Sequence, residues 1–263
     1  MDLHGKTVLA TGATGGIGGA LARVCASAGA RLKVHGRDAA RMNQLLAGLP
    51  AGSESLLGDL STAEGRAALC AFAAAPNAAD VVILNAASGH FGLFEEMSTG
   101  ALEALIDSDL LAPMLLAHAL LPILRQRPAA ALVIVGSTLG HIGHPGFAAY
   151  GAAKGGLRTF TEALAREVGV EGPRVLWVSP RATRTAMNDG GARAMNAALK
   201  VTEDPPEAVA TAVLDALHKD RRRVQMGIAE KVFVRINALL PQMVDRAMAG
   251  KLSTIRRYAS RKG

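Results

Sequence analysis

The chain has 263 residues, half of them apolar and only 3% aromatic, so Ala, Val, Leu and Ile must fill one large core. This composition excludes wholesale disorder, and the opening residues 1–6 lack the layout of a secretory signal. The net charge of +7 belongs to the tail: from Lys219 onward twelve basic residues face three acidic ones, which leaves the body at −2.

Residues 7–10 read as a short buried strand, followed by a glycine turn and a helix over 16–28. A strand over 31–35, a helix over 39–47, a short strand at 56–57 and a helix over 63–75 come next. Val81-Val-Ile-Leu84 is the clearest strand, continuously apolar, β-branched and stopped by Asn85. The pattern turns helical over 99–125, with a bend expected near Pro113. Its greasiest part, 110–124, is interrupted by Pro113, His118 and Pro122 and is too short to span a bilayer comfortably. A strand at 131–135, a helix over 148–170 and a strand at 174–178 follow. A helix over 205–218 with proline in its first turn leads to a last strand at 224–226. The alternation predicts one α/β domain over 1–228, a doubly wound parallel sheet with helices on both faces. Residues 229–263 are expected to form a basic amphipathic helical extension.

Thr11-Gly-Ala-Thr-Gly-Gly-Ile-Gly18 lies between the first strand and the first helix. Glycine lets the backbone turn tightly and approach a pyrophosphate, while the helix start offers free N–H groups and a positive dipole end. In this Rossmann-like setting Gly12, Thr14, Gly15, Gly16 and Ile17 are candidates for holding a dinucleotide. The next strand ends Val34-His-Gly-Arg-Asp38. An acidic residue at that end would favour the ribose hydroxyls of NAD. Here the position falls on Gly36, with Arg37 beside it to pair with a 2′-phosphate, so NADP(H) is favoured over NAD(H). Asp38 keeps the NAD reading open. Asp59, with Leu60 beside it, reads either as an acceptor for the adenine amino group or as a turn-capping carboxylate.

Tyr150 lies thirteen residues after Ser137, and Lys154 one helical turn further, so the last two side chains can share a helix face. A phenol can pass a proton to an oxygen while a nicotinamide passes hydride to the neighbouring carbon, which suits the interconversion of carbonyl and alcohol. A nearby lysine charge favours phenolate over an ordinary pKa near ~10. The combined pattern resembles the classical short-chain dehydrogenase/reductase family over residues 5–228. Thr11, Gly12, Gly16 and Gly18 match its Thr-Gly-x-x-x-Gly-x-Gly segment, and Asn85-Ala-Ala87 is similar to its Asn-Asn-Ala-Gly segment. The resemblance implies catalytic roles for Ser137, Tyr150 and Lys154 and cofactor contacts from Asn85, Ala86, Tyr150 and Lys154. It also implies a cofactor loop at Pro180, Thr183 and Thr185, and a homodimer or homotetramer. Asp109 falls where the family carries a catalytic-water asparagine and stands as a fourth catalytic candidate. Arg181 replaces the glycine of a Pro-Gly step. These departures leave open a second reading, a cofactor-binding sensor or scaffold without turnover.

By the family layout the substrate pocket is walled by residues 88–94, 139–147 and 185–200. Phe91, Leu93, Phe94, Leu139, Ile142 and Phe147 suggest an uncharged or hydrophobic carbonyl or alcohol substrate. His141-x-x-His144 has no acidic or cysteine partner at recognisable spacing, so no metal is expected. Cys25 and Cys70 read as packed thiols of a reducing cytoplasm. In the tail, Val232, Phe233, Ile236, Leu239, Leu240, Met243, Val244, Ala247 and Met248 recur at helical spacing, and Pro241 opens a second helix. The plainer reading is packing on the domain or on another subunit. The sharper one is peripheral contact with an anionic inner membrane face. No nucleic-acid recognition motif accompanies the charge.

Overall fold

The computed structural model of the chain describes residues 1–188 and 190–260. Strands β1 (Thr7–Ala10), β2 (Arg31–Gly36), β3 (Glu54–Leu57) and β4 (Val81–Leu84) alternate with helices α1 (Gly16–Ser27), α2 (Ala39–Ala47) and α3 (Ala63–Ala74). Helices α4 (Thr99–Ile106) and α5 (Ala112–Arg125) lead to β5 (Ala131–Val135), and α6 (Ala148–Val168) leads to β6 (Arg174–Ser179). Helices α7 (Gly191–Ala198) and α8 (Pro206–His218) precede β7 (Arg223–Gln225). All seven strands pair in parallel, in the order β3-β2-β1-β4-β5-β6-β7. The tail forms α9 (Ile228–Leu239), α10 (Pro241–Ala249) and α11 (Leu252–Ala259).

Strand geometry sends successive side chains to opposite faces, which explains why strands so uniformly apolar are buried on both sides. Val8, Ala10, Val81, Ile83 and Val133 pack with Leu21 of α1 and Val213 and Leu217 of α8. Leu9, Val82, Leu84, Leu132 and Ile134 pack on the other face with Leu69, Leu116, Leu120 and Leu157. The chain winds from β1 to β3 on one side, then crosses to β4 on the other. Such a reversal opens a crevice beyond the carboxyl ends of β1 and β4.

Several expected boundaries shift for visible reasons. Helix α6 ends at Val168 because Gly169 turns to φ +70°. The helix expected over 99–125 is continuous, but residues Asp107–Leu111 widen into a π-helical turn just before Pro113. Proline has no N–H, so the Asp109 carbonyl lacks the donor that an α-helix would give it. Thr99–Arg125 is long and apolar enough to cross a membrane by length and composition. Here Leu105, Leu116, Leu120 and Leu124 are buried in the fold. The tail has three helices where two were expected, and residues 261–263 of that extension lie outside the described residues.

Candidate active site

A cleft of about 610 Å³ opens at the switch between β1 and β4. Gly12, Thr14, Gly15, Gly16 and Ile17 line it. Helix α1 begins at Gly16, and Gly15 before it offers no side-chain cap, so its first N–H groups remain available to an anion. Gly12 sits at φ +68°, and a Cβ there would come within 2.8 Å of Ala86 Cα. Thr11 stitches this turn to β4: its Oγ1 accepts from the Asn85 and Ala86 amides at 3.0 Å, and Asn85 Nδ2 donates to the Thr11 carbonyl at 3.1 Å. Asn85 and Ala86 also line the cleft.

At the β2 end, Arg37, Asp59 and Leu60 lie on the cleft wall. Asp38 caps α2, accepting from the Arg41 amide at 3.0 Å and pairing with Arg41 Nε at 3.3 Å. Asp38 is thus a helix cap that also faces the cleft. Arg41, an exposed cleft residue missed in the sequence, stands one turn beyond Arg37. Asp59 Oδ1 accepts from the Ser61 amide and hydroxyl, both at 2.9 Å. These bonds, led by the amide, hold the Asp59 carboxyl below its ordinary range. Asp59 is thus a turn cap that also faces the cleft.

At the other end, α6 presents Tyr150 and Lys154 to the same cleft. Ser137 follows β5, and its Oγ accepts from the Leu139 amide at 3.1 Å. Lys154 Nζ lies 5.6 Å from the centre of the Tyr150 ring. Asp109, on the π-helical turn, is fully buried, with Oδ2 3.0 Å from Lys154 Nζ. The angles of that contact fall short of a hydrogen bond, so it is a close ion pair. Asp109 Oδ1 accepts from the Ser88 amide, the Ser88 hydroxyl and the Ser108 hydroxyl at 2.7, 3.0 and 2.7 Å.

Charge and burial set the protonation of this string. Burial pushes the Tyr150 phenol above its ordinary value; Lys154 opposes it, Asp109 adds to it, and the Ser137 hydroxyl opposes it. Burial disfavours the Lys154 ammonium, yet Asp109 and Tyr150 together hold its pKa above the usual lysine range. The expected lowering of Tyr150 therefore does not follow from these residues alone, because burial outweighs the lysine and the Asp109 carboxylate adds to it. The string can supply a proton from a neutral phenol and replenish charge balance through Lys154.

The loop after β6 divides its expected residues. Thr185 lines the cleft against Gly16. Pro180 builds the loop instead, its carbonyl accepting from the Thr138 amide at 2.9 Å. Thr183 is buried and donates to the Arg181 carbonyl at 2.9 Å. Ser88, Gly89 and Met187, which fall within the expected walls at 88–94 and 185–200, complete the cleft. Phe91 and Phe147 pack at 4.9 Å, and Phe147 lies 6.2 Å from Tyr150, while Ile142 is buried and Phe94 is exposed. Within the expected 185–200 wall, Asp189 lies outside the described residues.

His141 and His144 serve separate partners. His141 Nε2 bonds Ser179 Oγ at 3.0 Å, and burial, reinforced by Arg158, lowers its pKa to about 4. His144 Nδ1 bonds the Pro145 carbonyl at 2.7 Å. No group of three or more His, Cys, Asp or Glu is placed to hold a metal among the described residues. Burial pushes the Cys25 thiol up to about 12.

A switch-point cleft, a glycine turn facing an open helix start, and a Tyr-Lys pair on the same cleft define a dinucleotide-binding oxidoreductase. The sequence profile of the short chain dehydrogenase family matches residues 6–196, and the chain belongs to that family of NAD(P)-dependent oxidoreductases. An uncharacterized oxidoreductase, YmfI, of Bacillus subtilis (strain 168) is 32% identical over 187 residues, 69% of this chain and 76% of that one. A short-chain dehydrogenase from Streptomyces avermitilis is 26% identical with a TM-score of 0.80, covering 95% of this chain and 99% of that one. A short-chain dehydrogenase from Sphingobium yanoikuyae, in complex with NADPH, is 28% identical with a TM-score of 0.77, covering 91% and 96%.

Proposed function

We propose that the chain interconverts a ketone or aldehyde with its alcohol, using NADP(H), with Tyr150 as proton donor and acceptor. The observation that carries this reading is the placement of Tyr150 and Lys154 on one cleft with Gly12, Gly15 and Gly16. The cleft fits a dinucleotide: an uncapped helix start and a glycine turn for the pyrophosphate, Arg37 and Arg41 beside the position of a 2′-phosphate, and Thr185 at the opposite end. When bound, the cofactor supplies hydride chemistry. Tyr150 delivers or removes the proton on the substrate oxygen, Ser137 orients that oxygen, and Lys154 holds the phenol's electrostatic surroundings and the ribose side of the site. Phe147, tilted against Tyr150, and Phe91, packed on Phe147, suit an uncharged, hydrophobic substrate.

Initial rates of NADPH oxidation over a carbonyl panel test the reading. Tyr150→Phe should lower kcat by ~10³-fold while leaving NADPH affinity intact. Undiminished turnover would remove Tyr150 from the chemistry. NADPH should also bind more tightly than NADH, and the reverse order would reject the Arg37 assignment. One observation favours a second reading, a sensor that binds the cofactor without turnover: Asp109 already engages the Lys154 ammonium at 3.0 Å. Tight NADPH binding with no turnover anywhere on the panel would establish it.

Assembly and location are part of the proposal. Exposed Leu111 and Leu115, one turn apart, favour a homodimer or homotetramer, which light scattering on the purified chain tests. A cytoplasmic enzyme with peripheral membrane contact is favoured by the tail, whose exposed apolar side chains lie among cations.

A further inference from the structure

Arg181 opens the loop that follows β6 and is bound to two distant segments. Its Nε and Nη2 donate to Asp204 Oδ2 and Oδ1 at 3.0 and 2.7 Å, a two-pronged pairing just ahead of α8. Its Nη1 lies 3.6 Å from Glu230 Oε2, in the first turn of α9. That carboxylate oxygen is sealed from solvent, with Arg181 as its counter-charge. Gly227 permits the approach: it adopts φ +76°, and a Cβ there would sit 1.8 Å from Glu230 Oε2.

The strip beyond Arg181 is pinned along its length. Thr183 bridges Asp204, whose amide donates to the Ala182 carbonyl and whose carbonyl accepts from the Arg184 amide, both at 2.9 Å. Asn188 Nδ2 donates to the Thr183 carbonyl at 2.9 Å. Between these anchors Thr185 lies on Gly16, so close that a Cβ on that glycine would meet Thr185 Cγ2 at 2.8 Å. The adenosine end, at the tips of β2 and β3, lies across β1 from this clip in the sheet order.

We propose that Arg181 is a positioning residue for the dinucleotide. It locks the loop carrying Thr185 onto Asp204 and onto Glu230 of the C-terminal tail, so that the tail sets how tightly the nicotinamide half is held. The inference rests on reading the cleft as the cofactor site. It gives the arginine, which replaces a flexible glycine step, a task that glycine could not perform.

Calorimetric titration of the full chain with NADPH and with the fragment 2′,5′-ADP separates the two ends. Arg181→Ala should weaken NADPH about tenfold and change 2′,5′-ADP by less than about twofold. Arg181→Lys should recover only part of the loss, because an ammonium cannot reproduce the fork. Glu230→Gln should weaken NADPH about threefold alone and add nothing to Arg181→Ala, since both break one clip. Parallel losses for NADPH and fragment, unchanged NADPH affinity, or an additive double variant would each overturn the proposal. If the wild type prefers NADH, the same comparison runs with NADH and ADP. A failed cofactor assignment then shows in the wild type, and a failed clip in the variants.

Discussion

Asp109 bears on the protonation of two neighbours from a position with no access to solvent. A neutral side chain there would leave Lys154 buried without a counter-charge, whereas the carboxylate holds the ammonium in place. Asp109→Ala should therefore cost about 3–5 kcal/mol in urea unfolding, and a loss below about 1 kcal/mol would show that Lys154 finds other compensation. The same charge bears on direction. Because the Tyr150 pKa is raised, the phenol keeps its proton through neutrality and loses it only as pH climbs past its raised value. On the proposed role of Tyr150, carbonyl reduction draws on that proton and should run level across neutral pH and fall on the alkaline side. Alcohol oxidation, which needs the phenolate, should rise there. Asp109→Asn removes a charge that opposes phenolate and should move both limbs to lower pH. Initial rates in both directions against pH check this; limbs that stay in place or move upward would show that Asp109 does not govern the phenol.

At the level of elements, what could be read depended on how local the cause was. Strands β1, β4 and β5 are legible because burial on both faces demands unbroken apolar runs, and the glycine turn because close backbone approach leaves no room for side chains. Tyr150 and Lys154 are legible because helix spacing alone puts them together. The π-helical turn at Asp107–Leu111 was not, since hydrogen-bond spacing leaves no trace in hydropathy and Pro113 marks only its neighbourhood. The partners of Arg181 lie far along the chain, and no local pattern links them. Helix α11 was hidden for another reason: its buried Ile255 and Ala259 are diluted by exposed Arg256 and Arg257. Ile255 and Phe91 both lie beside Gly146, and the Tyr258 carbonyl lies close to Gly191, so the tail helix packs on the start of α7 and on the loop at Gly146. Ile255→Ala should cost roughly 2–5 kcal/mol in urea unfolding. A change under about 0.5 kcal/mol would mean that α11 does not pack there in solution.

Across the whole molecule the charge is segregated, and the segregation coincides with exposed apolar surface. Ile228, Val232 and Leu239 are spaced by four and seven residues and share one stripe of α9, exposed to 81%, 48% and 78%. Leu240, which follows α9, and Met243 of α10 are exposed to 56% and 54%. The other side of α9 turns inward, where Asn237 Nδ2 donates to the His141 carbonyl at 3.2 Å. Lys231, Arg235 and Arg246, on the same two helices, form no ion pair among the described residues. A second copy using this patch would set one cationic tail against another, so self-association through it is opposed by charge. An anionic bilayer satisfies both features at once, taking apolar side chains below its headgroups and cations among them. The full chain should therefore float with phosphatidylserine-containing vesicles and not with pure phosphatidylcholine. Combining Ile228→Ser, Leu239→Ser, Leu240→Ser and Met243→Ser should abolish flotation while leaving NADPH affinity unchanged, because the four side chains are exposed, none lines the cleft and none is a partner of the Arg181 clip. Equal recovery of both proteins in the unbound fraction would leave the stripe without a membrane role.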